Sequence, residues 1–171
     1  MTTKPIVLAT DGSPSAAEAT LEAIELARAF DTELVIVSVD HVSYFGGAGA
    51  FYGYAEVLAE LRKLEHERTE EALAQARAAA KEAGVESEAV HLVEDVTVAE
   101  HICRVAASRK ARMIVIGAHG WGPVRRVLHG SVSTAVVHEA HCPVLVVPSR
   151  LELADHAVEK LAEAVRTRQP V

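Results

Sequence analysis

The sequence predicts an α/β fold, a single doubly wound domain whose sheet has five parallel strands. Short apolar runs alternate with amphipathic segments along most of the chain, which is typical of a parallel sheet covered by helices on both faces. With 171 residues and 50% hydrophobic content, the chain can bury one core well but is short for two. Right-handed crossovers then predict the strand order 3-2-1-4-5.

The first strand and helix are predicted from the residues that flank them. Residues 5–10 form a short apolar run, and Asp11-Gly12 turns the chain. Ser13 can then cap a helix, and Pro14 suits its first position. We expect this helix to end at Phe30 and to bury the face that carries Ala17, Leu21, Ile24 and Ala27/Arg28.

A long helix is predicted between the second strand, residues 33–39, and the third strand, residues 87–93. It covers residues 56–83 and stops at Gly84. Its charged face, which includes Glu65 and Arg68, is expected to be solvated. The positions predicted to be apolar and packed are Val57, Leu58, Leu61, Leu64, Ala72, Leu73, Ala76, Ala79 and Ala80.

The second half of the chain adds two helices and two strands. Thr97 and Glu100 form a capping box that begins a helix ending near Ser108. The other elements predicted here are a strand at 113–116, a helix at 132–139 and a strand at 143–147.

A further amphipathic helix is predicted over residues 151–168. Its apolar stripe must cover either its own domain or a neighbouring subunit, and the sequence does not choose between them. We therefore place the domain at residues 1–148 and a C-terminal helical extension at residues 149–171.

A glycine-rich loop between the fourth strand and the next helix is the strongest functional signal. It leads from Gly117, at the carboxyl end of a strand, to Ser131, at the amino end of a helix. Free backbone N–H groups, the helix dipole and the close approach that glycine allows favour an anionic ligand there. Arg125, Arg126 and Ser133 add charge and a further hydroxyl group. These additions favour phosphate binding over the alternative, a plain surface loop of turn residues.

The loop matches neither of the two standard nucleotide motifs. A Walker loop needs a lysine after its second glycine, and the sequence has no lysine between Lys110 and Lys160. A dinucleotide fingerprint follows the first strand, whereas Gly120-Trp121-Gly122 follows a late one.

Three segments together resemble the universal stress protein family, in its ATP-binding branch. The resemblance extends from Pro5 to Pro148. Ala9 departs from it, since many members have proline there, and the tail after Pro148 is an addition. The segments are IVLATDGS at 6–13, Gly117 with Gly120 three residues on and Gly130-Ser131 after nine more, and CPVLVVP at 142–148.

The resemblance implies a Rossmann-like fold, similar to the adenine nucleotide alpha hydrolases, and the strand order given above. It implies a regulator of the stress response that binds ATP with Mg²⁺. Asp11, which by its position alone is equally well a turn residue, would contact the nucleotide or its metal. The implied nucleotide-binding residues are Ala9, Thr10, Asp11, Val39, Ile116, Gly117, His119, Gly120, Arg126, Gly130, Ser131, Val132 and Ser133.

Two other functions use the same pocket. An ATP hydrolase or phosphotransferase needs a base and a group that stabilises charge on the leaving oxygens, and the good candidates are Asp11, Arg125 and Arg126. We therefore expect at most weak ATP hydrolysis and assign no catalytic residue. The second of these functions is a sensor of AMP or of a cyclic nucleotide.

Charge and composition limit the other partners. The formal charge of −7 and the pI near 5.7 argue against nucleic acid and anionic membranes. No leader segment and no run long enough to span a bilayer is evident, so we expect a soluble, cytoplasmic protein. Cys103 and Cys142 alone make no disulfide framework.

Residues 41–54 hold five of the seven aromatic residues of the protein, with glycines between them. If the strands are parallel, this segment leaves the same sheet edge as Asp11 and the glycine loop, where Trp121 adds a sixth aromatic side chain. A lid over a ligand or a patch for an unidentified protein partner is favoured slightly over a satellite cluster under the segment itself.

Two other groups of residues are not assigned a function, a possible zinc site and a possible hydrolase nucleophile. His138, His141 and Cys142 could ligate zinc, but no second pair of ligands is evident in the sequence. Ser131 and Ser133 lie at a helix start, where caps belong, and no Gly-x-Ser-x-Gly elbow surrounds them.

The sequence and the edge position of the fifth strand predict a homodimer. Val144-Leu145-Val146-Val147 is apolar, yet the order 3-2-1-4-5 places it at a sheet edge, which invites pairing with another chain. The family resemblance implies the same arrangement. The alternative is that the helix from Leu151 folds over this edge and leaves a monomer.

Overall fold

Five strands and four helices alternate along the described part of the chain, residues 4–40, 54–93, 96–121 and 130–149 of a computed structural model. The predicted α/β alternation is confirmed. In chain order the elements are β1 (Ile6–Ala9), α1 (Pro14–Phe30), β2 (Leu34–Asp40), α2 (Tyr54–Glu82), β3 (Ser87–Val93), α3 (Val98–Ser108), β4 (Met113–Gly117), α4 (Ser131–Glu139) and β5 (Val144–Val147).

The strands form one parallel sheet in the order β3-β2-β1-β4-β5, as predicted. β1 lies at the centre, where Val7 pairs with Val35 of β2 on one side and with Ile114 of β4 on the other. Because the strands are parallel, all their carboxyl ends meet at one edge of the sheet. The strand order reverses between β1 and β4, so the switch point of the fold lies there.

Alternate residues of β1 enter two separate cores. Ile6 and Leu8 pack with residues of α1 and α2 on one face of the sheet, and Val7 packs with residues of α3 and α4 on the other. All four residues of β1 are buried. The sheet is therefore covered on both sides, as a parallel sheet requires.

The helix ends follow local sequence signals. The Ser13 hydroxyl accepts a hydrogen bond from the Ala16 amide at 3.3 Å, and Thr97 accepts one from Glu100 at 3.2 Å. Gly84 has a φ of +73°, the left-handed conformation that ends α2. Because these signals are short-range, the predicted boundaries differ from the observed ones by at most two residues.

The buried face of α1 differs from the prediction. Ala17 is exposed and Leu21 is 55% exposed, whereas Ile24 and Ala27 are buried as expected. The face that packs on the sheet carries small side chains, namely Ser15, Ala16, Ala19, Thr20, Ala23 and Ala27. Small residues allow the helix backbone to approach the sheet closely, and this packing outweighs the larger apolar area of Leu21.

The predicted apolar stripe of α2 is buried only in its second half. Ala72, Leu73 and Ala76 lie in the core, whereas Val57, Leu61 and Leu64 are exposed. The 29 residues of α2 span about 43 Å at 1.5 Å per residue. The neighbouring seven-residue strands β2 and β3 span only ~23 Å at about 3.3 Å per residue. The helix is thus longer than the sheet it covers, and its first turns extend past the carboxyl edge.

Several predictions lie outside the described residues. These are the aromatic segment up to residue 53, Arg125 and Arg126 in the glycine loop, and the C-terminal helix with its domain boundary. Among the helices that the structure describes, none combines the length and the apolar character needed to cross a membrane.

A pair of substitutions tests which face of α1 is buried. Ala23→Leu adds three carbons at a position that is 0% exposed, and overpacking should lower the free energy of unfolding by about 1–3 kcal/mol. Leu21→Ala removes an exposed side chain and should change it by less than about 0.5 kcal/mol. Urea denaturation measures both, and the opposite ranking would contradict the observed face.

Candidate functional site

A cavity of about 920 Å³ opens at the carboxyl edge of the sheet, beside the switch point between β1 and β4. Its walls come from the ends of β1, β2 and β4, from α2 and α3, and from the start of α4. Every predicted site residue that lies in the described ranges lines it; Arg126 lies outside them. The lining thus includes Ala9, Thr10, Asp11, Val39, Ile116, Gly117, His119, Gly120, Gly130, Ser131, Val132 and Ser133.

One wall of the cavity is apolar. Val37 and Val39 come from β2, and Ile116 comes from β4. Val98 and Ile102 of α3 lie on the same side of the sheet, since both pack with this face of the core. Such a wall provides van der Waals contact for a flat or apolar group and binds no ion.

The glycine loop lines another part of the cavity, and hydrogen bonds tie it to the start of α1. The hydroxyl groups of Ser13 and Ser15 both donate to the carbonyl oxygen of His119, the former at 3.1 Å. Ser15 also accepts a hydrogen bond from the His119 amide at 3.2 Å. Both backbone polar groups of His119, its N–H and its carbonyl oxygen, are therefore held by side chains at the start of α1.

The loop glycines are required by the packing of the protein itself. A Cβ atom on Gly117 would lie 2.6 Å from the Ser15 hydroxyl oxygen and 2.8 Å from the Ala16 amide nitrogen. A Cβ atom on Gly120 would lie 2.5 Å from a carboxylate oxygen of Asp11. At Gly117 the contact with the backbone of α1 therefore accounts for the glycine without any ligand, whereas at Gly120 the neighbour is the end of the Asp11 side chain, which can move.

The start of α4 faces the cavity. Gly130 is its N-cap and supplies no side-chain cap, while the Gly130 amide donates to the Ala118 carbonyl at 2.7 Å. Ser131 and Val132, in the first turn, line the cavity. The N–H groups of this turn and the positive end of the helix dipole therefore point at the space where an anion would lie.

Ser133 has a structural part in this arrangement. It is buried, and its hydroxyl oxygen lies 3.0 Å from the carbonyl oxygens of both Ala118 and Gly130. Its proton is thus shared with the protein backbone, and the side chain holds the loop against the first turn of α4.

Asp11 has the turn role that its position alone suggested. Its carboxylate accepts a hydrogen bond from the Ser13 amide at 3.0 Å, and its carbonyl accepts one from the Trp121 indole N–H at 2.8 Å. The same residue lines the cavity, so a turn role and a ligand role are compatible.

The charged face of α2 is largely exposed, as predicted, but the prediction missed that two of its residues also line the cavity. Glu65 and Arg68 lie there, joined by a 2.9 Å ion pair. The Arg68 guanidinium also lies 5.7 Å from the centroid of the Trp121 ring, within cation–π range. Helical spacing gives the missing signal, because Glu65, Arg68 and Thr69 continue the stripe of Ala72 and Ala76 toward the start of α2.

The two cysteines are half-buried beside the core, as an apolar role for Cys103 requires. Burial raises the pKa of both thiols. Glu139 and Cys142 raise the pKa of Cys103 further, so neither thiol is activated as a nucleophile.

The fold and the site define a doubly wound α/β protein with a largely apolar cavity at its switch point, bordered by the glycine loop and the start of α4. The sequence model of the universal stress protein family matches residues 2–148 of this chain. The chain therefore belongs to the universal stress protein family.

Individual relatives agree with this. A universal stress protein of Methanocaldococcus jannaschii is 41% identical over 144 residues, which is 84% of this chain and 81% of that protein. The structure of UspA from Lactobacillus plantarum superposes with a TM-score of 0.72 at 23% identity, covering 86% of this chain and 99% of the other. At that identity the likeness concerns the fold alone.

Two similar structures contain nucleotides. A universal stress protein from Archaeoglobus fulgidus, solved in complex with dAMP, has a TM-score of 0.57 at 25% identity, covering 86% of this chain and 99% of the other. A universal stress protein solved in complex with cAMP has a TM-score of 0.63 at 25% identity, with coverages of 87% and 99%.

Proposed function

We propose that the cavity binds an adenine nucleotide, ATP with Mg²⁺, and that the protein acts as a nucleotide-dependent regulator of the stress response. One observation carries the proposal: a single cavity joins an apolar wall to the open amino end of a helix. A nucleotide has the matching division, with a flat base at one end and anionic phosphates at the other.

The base is assigned to the wall formed by β2, β4 and α3. Ala9, Val37 and Val39 would contact one part of the ring, and Ile116 would contact another. Burial of a purine there gains free energy in proportion to the apolar area removed from water, about 25 cal/mol per Å².

The phosphates are assigned to the first turn of α4. The amides of Ser131 and Val132 and the α4 dipole would supply most of the attraction, so a lysine is not needed. Arg68 lies on the cavity wall but is paired with Glu65, so Arg126 of the glycine loop is the candidate for an added positive charge. Asp11 is the candidate ligand for the Mg²⁺ that accompanies the nucleotide.

Two alternatives share this site. The relatives solved with dAMP and cAMP support AMP or a cyclic nucleotide as the ligand, since both carry the same base and at least one phosphate. Slow hydrolysis is the other, although one of the two carboxylates on the described cavity wall, Glu65, is already paired with Arg68. Repeated turnover of ATP by purified protein would favour an enzyme over a regulator.

Gly130→Glu tests the phosphate assignment, and Gly130→Ala is its matched control. Gly130 has a φ of −65° and a ψ of 159°, which any residue adopts, and both variants place the same Cβ atom 3.0 Å from the Ala118 carbonyl oxygen. Only the glutamate adds negative charge at the start of α4. In calorimetry with ATP, we expect Gly130→Glu to bind at least about tenfold more weakly than Gly130→Ala, or ~1.4 kcal/mol. Equal affinities in two folded variants would contradict the assignment.

We also propose that the protein is a homodimer joined through β5. This strand is the edge of the sheet beside β4, and Val144, Leu145 and Val146 are only partly buried in the single chain. Antiparallel pairing with the same strand of a second copy would satisfy its backbone groups and cover these side chains.

Substitutions at the two sheet edges test this interface. Val146→Lys places a charge on β5 and should shift the protein from dimer to monomer in sedimentation velocity at micromolar concentration. Val93→Lys places the same charge on β3, the opposite edge, where the valine is 71% exposed, and should leave the dimer intact. A wild-type protein that sediments as a monomer, or equal effects of both substitutions, would refute the interface.

A further inference from the structure

A second polar cluster lies on the other side of the carboxyl end of β2, between the sheet and α2. It consists of Asp40, the last residue of β2, His91 of β3, and His66 and Glu70 of α2. In the sheet, His91 pairs with Ser38, two residues before Asp40. His91 and Asp40 therefore point to the same face, and α2 packs on that face.

The carboxylate of Asp40 lies between the two imidazole rings. Its Oδ1 atom is 2.7 Å from His91 Nε2, and its Oδ2 atom is 3.0 Å from His66 Nδ1. One ligand atom from each of the three residues lies within 4.8 Å of the others. Asp40 is 9% exposed, whereas the His66 side chain is more than half exposed, so the cluster is accessible from solvent on one side.

Glu70 completes the cluster behind His91. Its Oε1 atom lies 2.7 Å from His91 Nδ1, so both ring nitrogens of His91 face a carboxylate oxygen. A neutral imidazole has only one N–H group. With the N–H on Nδ1 directed at Glu70, the lone pair of Nε2 can bind a metal ion beside Asp40.

Each oxygen of the Asp40 carboxylate faces one imidazole nitrogen. An anionic oxygen beside two imidazole nitrogens is a suitable donor set for Zn²⁺ and similar transition metals, and a poor one for Mg²⁺ or Ca²⁺.

We propose that Asp40, His66 and His91 form a binding site for a divalent transition metal ion of the Zn²⁺ class, with Glu70 as the residue that orients His91. Ligand atoms in tetrahedral zinc sites are ~3.3 Å apart, given bonds of about 2.0–2.1 Å. The present separations need adjustments of about 1.5 Å or less, which rotation of the exposed His66 side chain can supply. Water completes the coordination.

The metal site is separate from the nucleotide cavity, although Thr69 connects them. Thr69 lines the cavity and also donates to Asp40 behind its wall. The metal site uses none of the residues assigned to the base or the phosphates. The metal proposal can therefore be tested independently of nucleotide binding. Metal binding would join α2 to β2 and β3 at the point where α2 begins to extend past the sheet.

Zinc titration of the full chain tests the site. After treatment with EDTA, the wild-type protein should bind one Zn²⁺ per chain from a chromophoric chelator and should unfold at a higher temperature with Zn²⁺ than without it. His66→Ala and His91→Gln should each weaken Zn²⁺ binding by at least about 100-fold, since loss of outer-shell partners alone costs ~10–100-fold. Glu70→Gln should weaken it by about tenfold, because the glutamine amide no longer accepts the His91 proton as strongly.

The double variant His138→Ala/His141→Ala is the control, because both histidines are exposed and lie on α4 and just after it. It should bind Zn²⁺ as the wild type does. Circular dichroism checks that each variant is folded. If His91→Gln unfolds, the variants at His66 and Glu70 still test the site, because both side chains are more than half exposed. A wild-type protein that binds no Zn²⁺, or Zn²⁺ binding that is lost only in the double variant, would overturn the proposal.

Discussion

The cavity depends on one contact, between the start of α1 and the backbone of His119. Ser13 and Ser15 donate to the His119 carbonyl, Ser15 also accepts from the His119 amide, and Gly117 lies so close to Ser15 and Ala16 that no side chain fits there. The contact joins the turn after β1 to the loop after β4, the two sides of the switch point. Asp11, the glycine loop and the first turn of α4 line one cavity there.

The sequence predicted features with short-range signals and missed those that depend on the relative placement of elements. Ser13-Pro14, Gly84 and Thr97 marked helix ends, and alternation with right-handed crossovers gave the strand order. The prediction of the buried face of α1 was wrong. It relied on the hydrophobicity of Leu21, whereas close contact between helix and sheet favours small residues such as alanine. The Asp40 cluster joins residues up to 51 positions apart, so only the fold brings them together.

The length of α2 gives the molecule its two separate polar sites. Because the helix extends past the sheet, its middle turns lie beside the carboxyl edge, with Arg68 on the cavity and His66 beside Asp40. The protein carries a formal charge of −7, so anion binding must come from local groups: backbone amides, one helix end and a few arginines. The same acidic side chains that oppose a general anionic partner provide the oxygens of the proposed metal site.

A crystal structure of the protein grown with ATP and Mg²⁺ tests the central claim most directly, that the cavity joined by the α1–His119 contact binds a nucleotide. The account predicts the adenine against Val37 and Val39 and the phosphates at the first turn of α4, beside Gly130 and Ser131. An empty cavity at saturating ATP, or a nucleotide bound elsewhere on the protein, would contradict it.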